Sequence, residues 1–168
     1  MSKYGLRFDI FDGAKDIRSL EDFLMAHRGP YGAEAYEAWV SETCIPEIET
    51  GNRLALGWVQ RGRVVGDAIL VPRTPERITL KHFRVHPEQW LQNRGMAQFL
   101  LNQALHEAAE LSEQIGNTTG AVVVGLDTLA GGPAEKFFAH HGFIEVGKAA
   151  LYAPETTDVL MERVVQVP

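Results

Sequence analysis

At 168 residues, with 45% hydrophobic and 23% charged side chains, the chain has the size and balance of a single compact domain, 1–168, and disorder as its main state is excluded. Sixteen Lys plus Arg against 22 Asp plus Glu leave a net charge of −6, the wrong sign for holding nucleic acid through the general field, and no apolar stretch approaches the roughly 20 residues of a bilayer span. The expectation is a soluble cytoplasmic protein with no nucleic-acid or membrane partner, and Cys44, the only cysteine, excludes an intramolecular disulfide or a thiolate metal cluster within one chain.

Leu6 to Phe11 alternates apolar and polar side chains as a first strand does, and Asp12-Gly13 closes it. Ile17, Leu20, Phe23 and Leu24 then share one helical face. After the Gly29-Pro30 break the same spacing returns in Tyr36, Trp39, Val40 and Thr43, and Pro46 is expected to bend or end this second helix. Glu34, Glu37, Glu42, Glu47 and Glu49 crowd that segment, whereas basic residues cluster between Arg73 and Arg94. The pattern reads either as two differently charged faces or as ordinary solvated surface. Leu54 to Gln60 and Val64 to Val71 read as a hairpin around Arg61-Gly62-Arg63, with Gly62 available for positive φ.

Ile78 to Val85, rich in β-branched and aromatic residues, is the fourth strand, and His86-Pro87 stops it. The next helix carries a stripe of Ala97, Leu100, Leu101, Ala104, Leu105, Ala108 and Leu111, with Gln98, Asn102, Gln103, His106, Glu107 and Glu110 facing away, so it packs on a sheet. Ala121 to Leu126 is the most apolar strand candidate, expected to be central and covered on both faces. A short helix starts at Pro133 and stops before Gly142, and Phe143 to Tyr152 and Val159 to Val165 complete the chain as strands. The order βααβββαβαββ is that of an α/β sheet with mixed strand directions.

The segment between strand four and the long helix, Gln92-Asn93-Arg94-Gly95-Met96-Ala97, carries chemistry. The first turn of a helix leaves backbone N–H groups unpaired and bears about half a positive charge, which suits a phosphate-bearing ligand. Gly95 permits close approach to those amides, Ala97 keeps the next approach point small, and Arg94 can add a charge-assisted bond.

This segment resembles the acetyl-CoA binding motif of the GNAT-type N-acetyltransferases, Gln/Arg-x-x-Gly-x-Gly/Ala, with Gln92, Gly95 and Ala97 in its three defined places. Phe83-Arg84-Val85-His86-Pro87 is similar to the family's end of strand four. Phe137-Phe138-Ala139-His140-His141-Gly142-Phe143 is similar to its second signature. The resemblance runs from about Leu54 to Tyr152 and implies a mixed central sheet of about seven strands with flanking helices, in which strands four and five splay apart. It implies acetyl-CoA as cosubstrate, held by Phe83, Arg84, Val85, Gln92, Asn93, Arg94, Gly95, Met96, Ala97, Gln98 and Phe138. The N–H of Val85 would stabilise the oxyanion as an acceptor amine attacks the thioester directly.

An alkylamine is almost wholly protonated at neutral pH, so a base or a water chain must take its proton, and the departing thiolate must receive one. The family often uses a Tyr for the second task where this chain has Phe138, and an Asn where it has Gly131; two extra residues separate Val85 from Gln92. Tyr152 then stands either as an alternative hydroxyl or as a packing residue, and His82 either as the base or as a structural histidine. Strand alternation sends Phe83 and Val85 to one face and His82 with Arg84 to the other. His140 and His141 read as capping or exposed residues, and none of His82, His86, His140 and His141 forms a His-x-x-x-His pair on a helix, so no metal is expected.

The resemblance places the acceptor by the acidic segment Glu34 to Glu49, Trp39 and the turn near Tyr152, which suits a small cationic amine or a peptide amine. It is also compatible with a homodimer through edge strands. The alternative function, prompted by Phe138 and Gly131, is an acyl-CoA sensor or partner-binding module of the same fold that lacks turnover.

Overall fold

The computed structural model describes residues 5–28, 32–88 and 95–168. Along the chain lie β1 (Leu6–Ile10), α1 (Ala14–Ala26), α2 (Ala33–Trp39), a π-helical stretch (Val40–Cys44), α3 (Ile45–Glu49), β2 (Leu54–Gln60), β3 (Arg63–Thr74), β4 (Arg77–Val85), α4 (Gly95–Gln114), β5 (Ala121–Leu129), α5 (Pro133–His140), β6 (Ile144–Ala149) and β7 (Asp158–Gln166). The strands form a seven-stranded mixed sheet in the order β1-β2-β3-β4-β5-β7-β6. Among the ladders described residue by residue, β4 and β5 pair in parallel, through Arg77↔Val123, Ile78↔Val124 and Thr79↔Gly125, and the others are antiparallel. Among the described residues no helix is long and apolar enough to cross a membrane. By their contacts the residues group into two compact units, Met1–Val71 with His82–Ala104 and Pro72–Lys81 with Leu105–Pro168.

In the first unit the apolar face expected of α1 is the one that is buried: Ile17, Leu20, Phe23 and Leu24 join Phe11, Tyr36, Val40, Ile48, Ala55, Val59 and Ile69 in one core. Each large aliphatic side chain closed off in this way contributes about 1.5–3 kcal/mol. Tyr36 keeps its hydroxyl satisfied by donating to the Leu24 carbonyl at 2.9 Å. Pro46 does not end the second helix. It lacks an N–H and its ring crowds the carbonyl four residues back, and the chain answers with the π-helical stretch Val40–Cys44, so that Pro46 falls in the first turn of α3. The hairpin between β2 and β3 turns on two residues, Arg61 and Gly62, both at positive φ (51° and 77°), because only that geometry matches the twist of the flanking strands; Arg63 already belongs to β3. At Gly57 a Cβ would lie 2.0 Å from the Gly66 carbonyl oxygen, so the two strands approach as only glycine allows.

In the second unit Asn117 organises the entry to β5. Its amide nitrogen lies within hydrogen-bond reach of the carbonyls of Pro75 (3.1 Å) and Ala121 (2.8 Å) and of the Ser112 hydroxyl (2.7 Å), sharing its two hydrogens among them. Burial along β5 alternates, with Val122, Val124 and Leu126 closed off and Val123 and Gly125 half-buried, so one face is sealed and the other is less so than its composition suggested. α5 starts at Pro133 and closes before Gly142, which takes φ 84°. β6 is shorter than its apolar and aromatic run implies. Its ladder shifts register between Glu145 and Gly147, and beyond Ala149 the chain turns where the Leu151 N–H donates to the Asp158 carboxylate at 3.2 Å, leaving Leu151 and Tyr152 in a loop.

Candidate functional site

α4 opens with Gly95 exposed and Met96 and Ala97 buried, and Gln98 faces solvent. Its first turn carries no acidic side chain, so no carboxylate of that turn repels an anion at the helix start. The start is pinned from β2: the Trp58 indole N–H donates to the Met96 carbonyl at 3.2 Å, and the ring packs on Phe8 and Phe99 at centroid distances of 5.5 and 5.1 Å. Gln92, Asn93 and Arg94, which the sequence nominates for the same ligand, lie outside the described residues.

The end of β4 belongs to the same unit. Phe83, Arg84 and Val85 are half-buried. Arg84 donates to the carbonyl of His27, just past α1, and the His86 N–H donates to the Val65 carbonyl at 2.7 Å. At Gly66 a Cβ would come within 3.2 Å of the Arg84 oxygen, so β3 passes close beneath this end of β4.

Directly after that glycine stands Asp67, fully buried, with an oxygen 2.6 Å from Nδ1 of the buried His82. In the same unit Arg53 is bonded to Glu47 and lies 5.8 Å from the centre of the Trp39 ring. Three buried polar atoms, His82 Nε2, Asp67 Oδ1 and Arg53 Nη1, have no hydrogen-bond partner among the described residues. Cys44 shares these surroundings. Burial pushes its thiol up from 9.0 to about 12, the Arg53 charge pulls it down, and those of Asp67 and Glu47 push it up.

In the second unit the Tyr152 hydroxyl accepts a hydrogen bond from Lys81 Nζ at 3.0 Å and donates to Asp127 Oδ2 at 2.7 Å. Phe138 is buried on α5 and meets the rings of Phe137 and Phe143 at 5.4 and 5.5 Å. Gly131 takes φ 74° and its N–H donates to Glu135 at 2.6 Å. His141 Nδ1 lies 2.8 Å from the Phe137 carbonyl, as a residue closing a helix does, and His140 is exposed. Glu34, Glu37, Glu42 and Glu49 are exposed and Trp39 is half-buried.

Two residues at these places are absent from the sequence reading. Trp58 carries no local signal for its long-range bond to α4. Asp67 does carry one: it is the sole acid in the apolar run Val64 to Val71, and a carboxylate in a buried strand requires a partner.

No protein-family model matches the sequence, and no curated protein does either. Solved structures match along nearly the whole chain. A GNAT-family protein from Desulfovibrio desulfuricans superposes with a TM-score of 0.69 at 15% identity, over 97% of this chain and 99% of its own. The fold is that of the GNAT acetyltransferases. The PaiA N-acetyltransferase of Thermoplasma acidophilum, in complex with coenzyme A, matches with a TM-score of 0.66 at 17% identity, over 94% of this chain and 98% of its own. An aminoglycoside 6′-acetyltransferase of type Ii matches with a TM-score of 0.65 at 18% identity, over 95% and 97%. The parallel β4–β5 pair within a seven-stranded mixed sheet is therefore a GNAT sheet, as the motif around Gly95 implied.

Proposed function

We propose that the chain is an acetyl-CoA-dependent N-acetyltransferase that passes the acetyl group directly to an amine. The observation that carries this reading is the start of α4: an exposed glycine and an acid-free first turn, held by the Trp58 bond to Met96, in a chain with the GNAT fold. Those residues fit a diphosphate, since bare amides and small side chains let an anion approach. Structures named as a coenzyme A complex and as an aminoglycoside acetyltransferase lend support to the cosubstrate and to an amine acceptor.

Bound acetyl-CoA would supply the activated acetyl thioester. In this reading the amides of Gly95, Met96 and Ala97 take the diphosphate, with Gln92, Asn93, Arg94 and Gln98 completing its surroundings. Phe83 and Arg84 hold the pantetheine arm, and the Val85 N–H polarises the thioester carbonyl. The amine nitrogen bonds to the carbonyl carbon as the carbon–sulfur bond breaks, one proton leaving the amine before attack and another reaching the thiolate. The exposed acids Glu34, Glu37, Glu42 and Glu49 favour a cationic acceptor, a small amine or a peptide amine.

Isothermal titration tests the reading. Saturable binding of acetyl-CoA is expected, and Gly95→Glu should weaken it at least about 100-fold with an unchanged melting temperature, because the substitution sets a carboxylate where the diphosphate would lie. Absence of binding at millimolar acetyl-CoA would remove the proposal. The buried phenyl of Phe138 favours a second reading, a sensor that binds the coenzyme without turnover; binding without thiol release across a broad amine panel would select it.

A further inference from the structure

The solvent side of α4 breaks its own pattern at one position. From Gly95 to His106 the exposed residues are Gly95, Gln98, Phe99, Asn102 and His106, and Phe99, 42% exposed, is the one large apolar side chain among them. Residues three and four apart share a helix face, so Gly95, Gln98, Phe99 and Asn102 form one strip of surface. That strip leaves the glycine at the helix start and reaches the aromatic ring one turn on, about 6 Å along the axis. The ring is held in place. Phe99 meets Trp58 at 5.1 Å and Phe8 edge-on at 5.3 Å, those two meet at 5.5 Å, and the Trp58 indole is bonded to the Met96 carbonyl. Contacts of this geometry fix a ring plane, and a ring already fixed loses little freedom when another stacks on it. All of these residues belong to the first unit.

We propose that Phe99 is the stacking platform for the adenine base of acetyl-CoA, with the side-chain amides of Gln98 and Asn102 placed to bond the edge of that base. The inference rests on the N-acetyltransferase reading and deepens it by naming what holds the nucleotide end of the cosubstrate. In coenzyme A the diphosphate joins the pantetheine arm to an adenosine. A diphosphate at the start of α4 therefore brings the base to the surface around that start, and the strip from Gly95 to Asn102 is the part of this surface that carries an aromatic face. The side chains match the ligand. A π-face stacks on a base without needing a charge, and an Asn or Gln amide, with donor and acceptor on one group, matches the N6 and N7 edge of adenine. No residue from Gly95 to Asn102 is charged, which suits a neutral base.

Packing alone does not call for an aromatic ring at this position, because an aliphatic side chain would cover Phe8 and Trp58 equally well. A second protein surface is the other occupant that an exposed ring can take. One ring bordered on α4 by a glycine and two amides is a small apolar area for a stable dimer, and it is the size of one base.

The test is isothermal titration of the full chain and of Phe99→Leu, which keeps an apolar cover over Phe8 and Trp58 and removes the π-face; its folding is checked by its melting transition. The substitution should weaken acetyl-CoA binding about 10-fold and leave the affinity for S-acetyl-4′-phosphopantetheine, which has no adenosine, within about twofold of the parent. Unchanged acetyl-CoA affinity, or an equal loss for both ligands, would overturn the platform while leaving coenzyme binding intact. Self-association of the parent that Phe99→Leu abolishes, with coenzyme affinity unchanged, would give the ring to a second copy and overturn it too. No acetyl-CoA binding by the parent protein would instead overturn the N-acetyltransferase reading. Should the variant fail to fold, proton NMR of the unsubstituted protein saturated with acetyl-CoA decides: Overhauser contacts between the adenine protons and the Phe99 ring are expected, and their absence contradicts the proposal.

Discussion

The Asp67–His82 pair and the Lys81–Tyr152–Asp127 trio have similar hydrogen-bond lengths, 2.6 Å in the first and 2.7 and 3.0 Å in the second, in opposite surroundings. The first is shut inside its unit; in the second, Tyr152 is 43% exposed. Distance alone therefore says little about what each is worth. A buried carboxylate has given up its hydration and depends on its partner, whereas an exposed group that loses its partner is taken up by water.

The largest expected effect breaks this comparison most openly. Asp67→Ala leaves the His82 ring without its partner in a closed interior and should cost about 3–5 kcal/mol of unfolding free energy, whereas Asp127→Ala should cost less than about 1 kcal/mol. Chemical denaturation of both variants checks it, and equal costs would mean that the first pair is better hydrated than its burial indicates.

A smaller effect concerns alkaline pH. The folded state holds the Cys44 proton up to about 12, whereas the unfolded chain releases it near 9.0, so between these values the folded state binds more protons. Stability should therefore fall as pH rises through that window, by at most about 1.4 kcal/mol per pH unit from this group, and Cys44→Ala should remove that part of the slope. Denaturation midpoints between pH 8 and about 12 measure it. The smallest structural effect is expected at the exposed trio: Tyr152→Phe should change stability by about 0.5 kcal/mol or less, yet lower kcat about 10-fold if its hydroxyl protonates the thiolate. A kcat equal to that of the parent would return Tyr152 to a packing role.

Much of the fold was legible because local pattern and tertiary demand agree. The stripe that starts at Ala97 is the buried face of α4, and Pro133 and Gly142 bracket α5. Where reading was incomplete, a distant partner decided the outcome. Pro46 reads as a bend or an end of the helix only until the π-helical stretch that accommodates it is seen, and Leu151 and Tyr152 read as strand because Asp158, which accepts the Leu151 N–H where the chain turns, lies seven residues on. The candidate site divides in the same way. Gly95 and Ala97 announce a phosphate-binding helix start through local composition, whereas the Asp67–His82 pair joins neighbouring strands across 15 residues, a relation that no window of sequence displays.

The most direct test of the account is turnover itself: release of the coenzyme A thiol from acetyl-CoA, followed together with formation of the acetylated amine across a panel of cationic, neutral and anionic acceptors. The account predicts stoichiometric thiol and amide with at least one cationic amine, well above background hydrolysis. Thiol release with no amide product, or reaction confined to neutral or anionic acceptors, would contradict it.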